Sequence, residues 1–328
     1  EAEAALREEP GLTPAQRAAQ LRQRIKRLQA ELGEVDPVER QAIELLRRIE
    51  NAQLPQPVAA EARAEVERLR SASSGNETSE IRSHIDWLLS MPWNTRAAGP
   101  ADQIDLAAVE RALDEEVVKL EEPKERLFDY LAVARLRGDL RGSIPCLVGP
   151  PDVGKTRLVT ALAHGLGRPL ARLDLGGRGE AQLMGTRRTR AGAQPGKIAG
   201  ALRDIGVKDP VFLLEEMDEI GLGKVEGDPI EAMEEILAWD GRQEFVDRYL
   251  DIPFDLSEVL FIATAQDFYR IPRNLREMMV EIRIAGYTPE DKVEIARERL
   301  LPRLIAKHGL DPDDVEFDDD ALSYLALG

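Results

Sequence analysis

Hydrophobic and polar positions give the chain two textures. Up to about residue 72, apolar residues recur at helical spacing on charged segments. Thr13-Pro14-Ala15-Gln16 reads as a helix start, with an N-cap, Pro in the first turn and Gln three residues on. Leu21, Ile25, Leu28 and Leu32 follow in steps of four, three and four, and Gly33 closes the stripe. A second helix carries Ile43, Leu46 and Ile49 and stops before Leu54-Pro55-Gln56-Pro57; a third runs to about Arg70. The stripes are narrow, as in a helical hairpin. Residues 71–79, rich in Ser, Gly and Asn, read as a linker. A short helix then turns Ile81, Ile85, Leu88 and Leu89 inward, ends at Met91-Pro92-Trp93-Asn94, and is followed by a polar break at 95–103.

From residue 144 short apolar runs (144–148, 170–175, 211–214, 259–264) alternate with helical stretches. This pattern predicts a parallel sheet with helices on both faces. After Gly286 the chain turns helical again, with Thr288-Pro289-Glu290-Asp291 as a cap and a helix to about Arg299. The predicted fold class is α/β plus all-α: a helical N-terminal region, a doubly wound parallel sheet, and the start of a small helical subdomain. The expected divisions are 1–72, 73–103 (linker and helix), 104–285 and 286–328.

Charge and composition narrow the function. The 328 residues carry a net charge of −17, which argues against nucleic acid as the main partner. No run reaches the ~18–20 apolar residues that span a bilayer. Glu1-Ala2-Glu3-Ala4 lacks the basic start and apolar core of a signal peptide, so a cytoplasmic location is expected. The missing initiator Met reads as a piece of a longer protein. One cysteine, Cys146, excludes an internal disulfide framework and a Cys-based zinc cluster. His84, His164 and His308 show no metal-ligand spacing and read as ordinary surface or cap residues.

The strongest chemical signal is Gly149-Pro150-Pro151-Asp152-Val153-Gly154-Lys155-Thr156, a G-x-x-x-x-G-K-[ST] loop between a predicted strand and helix. Its amides would wrap phosphates at a helix N-terminus, Lys155 would neutralise the outer phosphates, and Thr156 would hold Mg²⁺. Phe212-Leu213-Leu214-Glu215-Glu216 has the form of the acidic strand end that completes such a site, with Glu215 toward metal and Glu216 toward water. The first acid is usually Asp, so Glu215 must retract by about one methylene.

Further segments make a resemblance specific. These are Leu28-Gln29-Ala30-Glu31-Leu32-Gly33-Glu34, Ile85-Asp86-Trp87-Leu88-Leu89-Ser90-Met91-Pro92-Trp93-Asn94, Leu175-Gly176-Gly177, Arg187-Arg188-Thr189, Pro195-Gly196-Lys197-Ile198, Gly227-Asp228-Pro229 and Ala285-Gly286-Tyr287-Thr288. In this order and spacing the chain resembles the Lon family of AAA+ proteases along nearly its whole length. The resemblance implies an AAA+ module in a homo-hexameric ring that feeds unfolded polypeptide to Ser–Lys peptidase sites. Those peptidase residues are expected beyond Gly328.

Departures from the family pattern are as informative as the matches. Asp152 stands where the family has Gly. A carboxylate about 5 Å from a phosphate oxygen costs roughly 3 kcal/mol at an effective dielectric near 20, on the order of a hundredfold in affinity. Val117-Val118-Lys119 replaces the adenine-side His-Tyr-Gly, Gln266 the sensor Asn, and Met278 the Arg finger extended to a neighbour's nucleotide. Arg276 and Arg283 lie near that finger position. In the pore segment, Thr189-Arg190-Ala191-Gly192 lacks the aromatic grip, and Arg190 reads as a solvated loop residue without a transport role. Together these changes resemble LonC-type members, which degrade unfolded polypeptide without ATP; no cofactor is then required, and ATP/Mg binds weakly at most. Two other readings compete: an ATP-driven Lon motor, favoured by Gly154-Lys155-Thr156 and Glu216, and a P-loop assembly or switch protein without a peptidase.

Overall fold

The computed structural model describes residues 37–72, 74–222, 227–311, 313 and 315–327. The cap at Thr13 and the stripe from Leu21 to Leu32 lie outside them. The chain divides after Leu89 into two compact units.

In the first unit, α1 (Pro37–Asn51) packs on α2 (Gln56–Ser71), and α3 (Gly75–Ser90) follows. The inward face of α1 is Ala42, Leu45 and Ile49. Ile43, predicted to face in, is 53% exposed. The buried face of α2 is Val58, Ala59, Ala62, Glu65, Val66 and Leu69. Helix α3 begins inside the predicted 71–79 linker, because the Ser74 hydroxyl accepts from the Glu77 amide at 3.3 Å and caps the helix. His84, expected at the surface, is fully buried on the face of Ile81, Ile85 and Leu88. Its Nδ1 stands 3.5 Å from Glu65 Oε1, and Arg68 donates to the same oxygen at 2.8 Å.

The second unit opens with a segment expected to be a polar break but held along its length. Thr95 accepts from the Lys208 amide, Ala97 and Ala98 donate to Asp209, and the Trp93 ring lies 5.3 Å from Phe254. Arg96 and Lys208 both pair with Glu258. Burial pushes the Glu258 carboxyl up, but those two partners outweigh it and hold it down at about 2.

Next come α4 (Leu106–Glu116), α5 (Glu121–Arg137), β1 (Ile144–Val148), α6 (Lys155–Gly165), β2 (Leu170–Asp174), α7 (Glu180–Met184), α8 (Lys197–Ile205), β3 (Val211–Glu215), α9 (Pro229–Leu237) and α10 (Trp239–Gln243). A hairpin, β4 (Phe245–Val246) and β5 (Pro253–Phe254), precedes β6 (Leu260–Ala265), α11 (Arg273–Glu277) and β7 (Met279–Arg283). The main sheet is parallel throughout, in the order β2-β3-β6-β1-β7. Every residue of β1, β6 and the first four of β3 is buried, as strands covered on both faces require. Edge strand β7 was not anticipated, because Glu281 and Arg283 interrupt its apolar pattern.

Helix α4, capped by Asp105, packs on α6. Gly165 permits close contact, since a Cβ there would stand 2.7 Å from the Val109 Cα. Cys146 sits in the centre of β1; burial, with help from Asp218 and Glu281, pushes its thiol up to about 12.

Helix α12 (Pro289–Ile295) starts with a full capping box between Thr288 and Asp291. It was predicted to end near Arg299. Instead it continues through a π-type turn (Ala296–Leu300) into α13 (Leu301–His308), which Gly309 ends in a left-handed conformation. Helix α14 (Asp319–Leu327) follows. No described helix is long and apolar enough to cross a membrane.

Candidate functional site

The parallel sheet brings the C-terminal ends of β1, β2, β3 and β6 to one edge, where ligands of α/β sheets bind. A cavity of about 550 Å³ opens there. Of the residues predicted from sequence, Pro151, Asp152, Gly154, Lys155, Thr156, Glu215, Glu216 and, just after β6, the exposed Gln266 line it. Gly149 and Pro150 turn their carbonyls to Lys155 Nζ, each at 2.6 Å, while Val153 is buried in the core. Any Cβ at position 149 would meet the Ile284 carbonyl at 2.3 Å, so the loop requires Gly there. Asp152 adopts φ +61°, a left-handed conformation that Gly takes without strain.

Burial lowers the Lys155 pKa, and the charges of Asp218 and Asp152 oppose that shift. Thr156 Oγ1 donates to Glu215 Oε1 at 3.3 Å. The same carboxylate receives both arms of the Arg172 guanidinium, at 2.8 and 3.0 Å. Arg172 and Asp174 are residues that motif reasoning missed. Parallel register sets Asp174 opposite Glu215, but no local pattern announces that pairing. Asp218 was also missed: it is nearly fully buried and accepts the amides of both Gln266 and Asp267, fixing the loop after β6.

The cavity wall is rich in acid. Asp152, Asp174, Glu215, Glu216 and Asp218 face Lys155, Arg157 and Arg172. Burial, followed by the charges of Asp174, Glu219, Asp218 and Glu215, raises the Glu216 pKa. Among the described residues no cluster of three His, Cys, Asp or Glu side chains is placed to hold a metal ion.

The remaining predicted positions lie around this centre. Val117 is buried, Val118 half-buried, and Lys119 adopts a left-handed conformation while pairing with Glu294 at 2.8 Å. Met278 is half-buried between α11 and β7, and its carbonyl accepts from the Ile144 amide. Arg276 donates to the Tyr269 carbonyl and covers that ring, and Arg283 pairs with Glu281.

Residues 145–286 match the ATPase family associated with various cellular activities (AAA). Over 307 residues the chain is 44% identical to a Lon protease of Dictyoglomus thermophilum, covering 93% of this chain and 38% of that protein. Lon protease 1 of Bacillus subtilis is 43% identical over 304 residues (92% of this chain, 39% of the relative). Lon protease 2 of Myxococcus xanthus is 41% identical over 316 residues (96% and 38%). The chain thus spans about two fifths of the length of the curated relatives it matches. It combines a helical N-terminal region with an AAA domain of P-loop α/β fold, and over most of its length it is a homologue of Lon proteases.

Proposed function

We propose that the chain is the helical and AAA+ portion of a Lon-type serine peptidase acting on unfolded polypeptide. In this reading the module works as a homo-hexameric scaffold and substrate entrance, in the cytoplasm, with little or no ATP hydrolysis. Peptide-bond cleavage is assigned to the part of such a protein that this chain does not span.

The phosphate side of the cavity suits a nucleotide: residues 149–156 would cradle the phosphates at the N-terminus of α6, with Lys155 against the outer ones. Bound Mg²⁺ would neutralise charge on those phosphates, with Thr156 and Glu215 as its protein contacts. One observation carries the low-hydrolysis reading. The Glu215 carboxylate is already satisfied by the Arg172 fork and the Thr156 hydroxyl. A bidentate guanidinium–carboxylate pair must be opened before that carboxylate can turn to a metal. The strained acid at Asp152 and the uncharged Met278 in the finger position point the same way.

The test is nucleotide binding and phosphate release by the assembled full-length protein. Turnover at background is expected. Micromolar affinity with turnover of about 1 s⁻¹ would overturn the reading in favour of an ATP-driven motor, to which Gly154-Lys155-Thr156 and the exposed Glu216 are suited. Joint substitution Asp152→Gly and Met278→Arg is expected to restore hydrolysis in the assembled ring.

A further inference from the structure

The loop between α7 and α8 reverses the charge of the molecule. Residues 185–196 contain no Asp or Glu and three cations (Arg187, Arg188, Arg190), in a chain of net charge −17. The loop is held at its stem. Thr186 and Gln194 exchange three hydrogen bonds. Buried Asp247 accepts from the Gly196 amide at 2.6 Å and from the amides of Tyr249 and Leu250. Gly185, at φ +77°, could carry no side chain: a Cβ would lie 2.8 Å from the Gly196 amide nitrogen. The tip turns at Arg187–Arg190 and at Gly192, with both arginine side chains exposed.

Stem and tip enclose a hollow of about 440 Å³ lined by Thr186, Arg187, Thr189, Arg190 and Arg248, and by no carboxylate. Arg248 enters it while paired with Glu180. We propose that this hollow binds acidic polypeptide segments, runs of Asp and Glu, through guanidinium–carboxylate forks from Arg187 and Arg190. The inference rests on the reading that the module handles unfolded polypeptide, and it adds the class of segment the module prefers.

The chemistry favours a peptide over the alternatives. Arginine presents a planar pair of donors that matches a carboxylate in bidentate fashion. The exposed Thr189 hydroxyl lies at the hollow's edge as a further polar group. No Phe, Tyr or Trp occurs between 181 and 203, so the surface offers no platform on which bases could stack. A long polyanion would run past this short cationic stretch onto acidic surface and be repelled, whereas a brief acidic run would not.

Fluorescence anisotropy tests this on the assembled protein, with labelled twelve-residue probes: an alternating Glu/Asp peptide, its Gln/Asn counterpart, and a single-stranded oligonucleotide of equal charge. The acidic peptide is expected to bind at least tenfold more tightly than either other probe. Arg187→Gln with Arg190→Gln should remove at least tenfold of that affinity, Arg187→Lys with Arg190→Lys should restore part of it, and Arg70→Gln, on the helical unit, should leave it unchanged. Thermal unfolding checks that the variants fold; the substituted side chains are exposed. Equal binding of acidic and neutral peptides, or undiminished binding by the double Gln variant, overturns the proposal. So does tighter oligonucleotide binding, which would make the loop a nucleic-acid contact. A changed assembly state in the double Gln variant also overturns it, because the arginines would then face a neighbouring subunit. If neutral unfolded peptide binds and charge makes no difference, only this inference fails. If no unfolded peptide binds at all, the polypeptide-handling reading fails with it.

Discussion

The phosphate-loop cavity and the arginine-lined hollow lie on one domain and treat charge in opposite ways. In the first, cations and acids are interleaved and largely satisfy one another: Arg172 and Thr156 on Glu215, with Asp152 and Asp218 facing Lys155. In the second, Arg187 and Arg190 reach an opening that no carboxylate lines. Mutually neutralised charge resists an incoming anion, because pairs must open before new ones form. Exposed charge with no carboxylate in the same hollow has no ion pair to open before an anion binds, so only water must be displaced. By this logic the positive loop, rather than the nucleotide cavity, is the prepared anion site.

Three measurements sharpen or break that contrast. The largest effect is expected from Asp152→Gly. Removing a carboxylate about 5 Å from a phosphate and relaxing the +61° backbone should raise nucleotide affinity by up to about a hundredfold, with acidic-peptide binding unchanged in the same preparation. Next, Arg172→Gln releases Glu215, and nucleotide binding measured with EDTA and with Mg²⁺ should diverge by about tenfold where the wild type shows no difference. Its effect on stability should stay within ~1 kcal/mol, because the Arg172 side chain is 58% exposed. The smallest effect is in pH. Glu216 has a raised pKa, so it is neutral over a wider acidic range and becomes an anion as pH rises through that value. Nucleotide affinity measured by titration at each pH should therefore fall as pH rises through that shifted value, and Glu216→Gln should remove this component of the fall. Arginines do not titrate there, so peptide affinity should stay level; a parallel fall in both would break the distinction.

Local chemistry was legible in the sequence where one short segment determines it. The P-loop spacing, the strand at Ile144–Val148 and the Thr288 cap each depend on neighbours within a turn. What escaped depends on partners distant in sequence. Ile43 reads as inward with Leu46 and Ile49, yet the face that packs against the next helix is Ala42, Leu45 and Ile49. His84 is internal because Glu65, nineteen residues earlier, is internal too. Strand β7 pairs with β1 across more than 130 residues, and its edge position tolerates Glu281 and Arg283. Arg172 reaches Glu215 only because β2 and β3 are adjacent and parallel. The hollow was hidden for the same reason, since Asp247 and Arg248 complete a loop some fifty residues before them.

The lone thiol has a practical consequence. Cys146 lies in the middle of a covered strand and is almost entirely protonated at neutral pH. Alkylating dyes should ignore it while the protein is folded and modify it quantitatively in denaturant. Within this chain, a cysteine introduced at an exposed position would then be the reactive handle, so spin labels or fluorophores could be attached without first replacing the native residue.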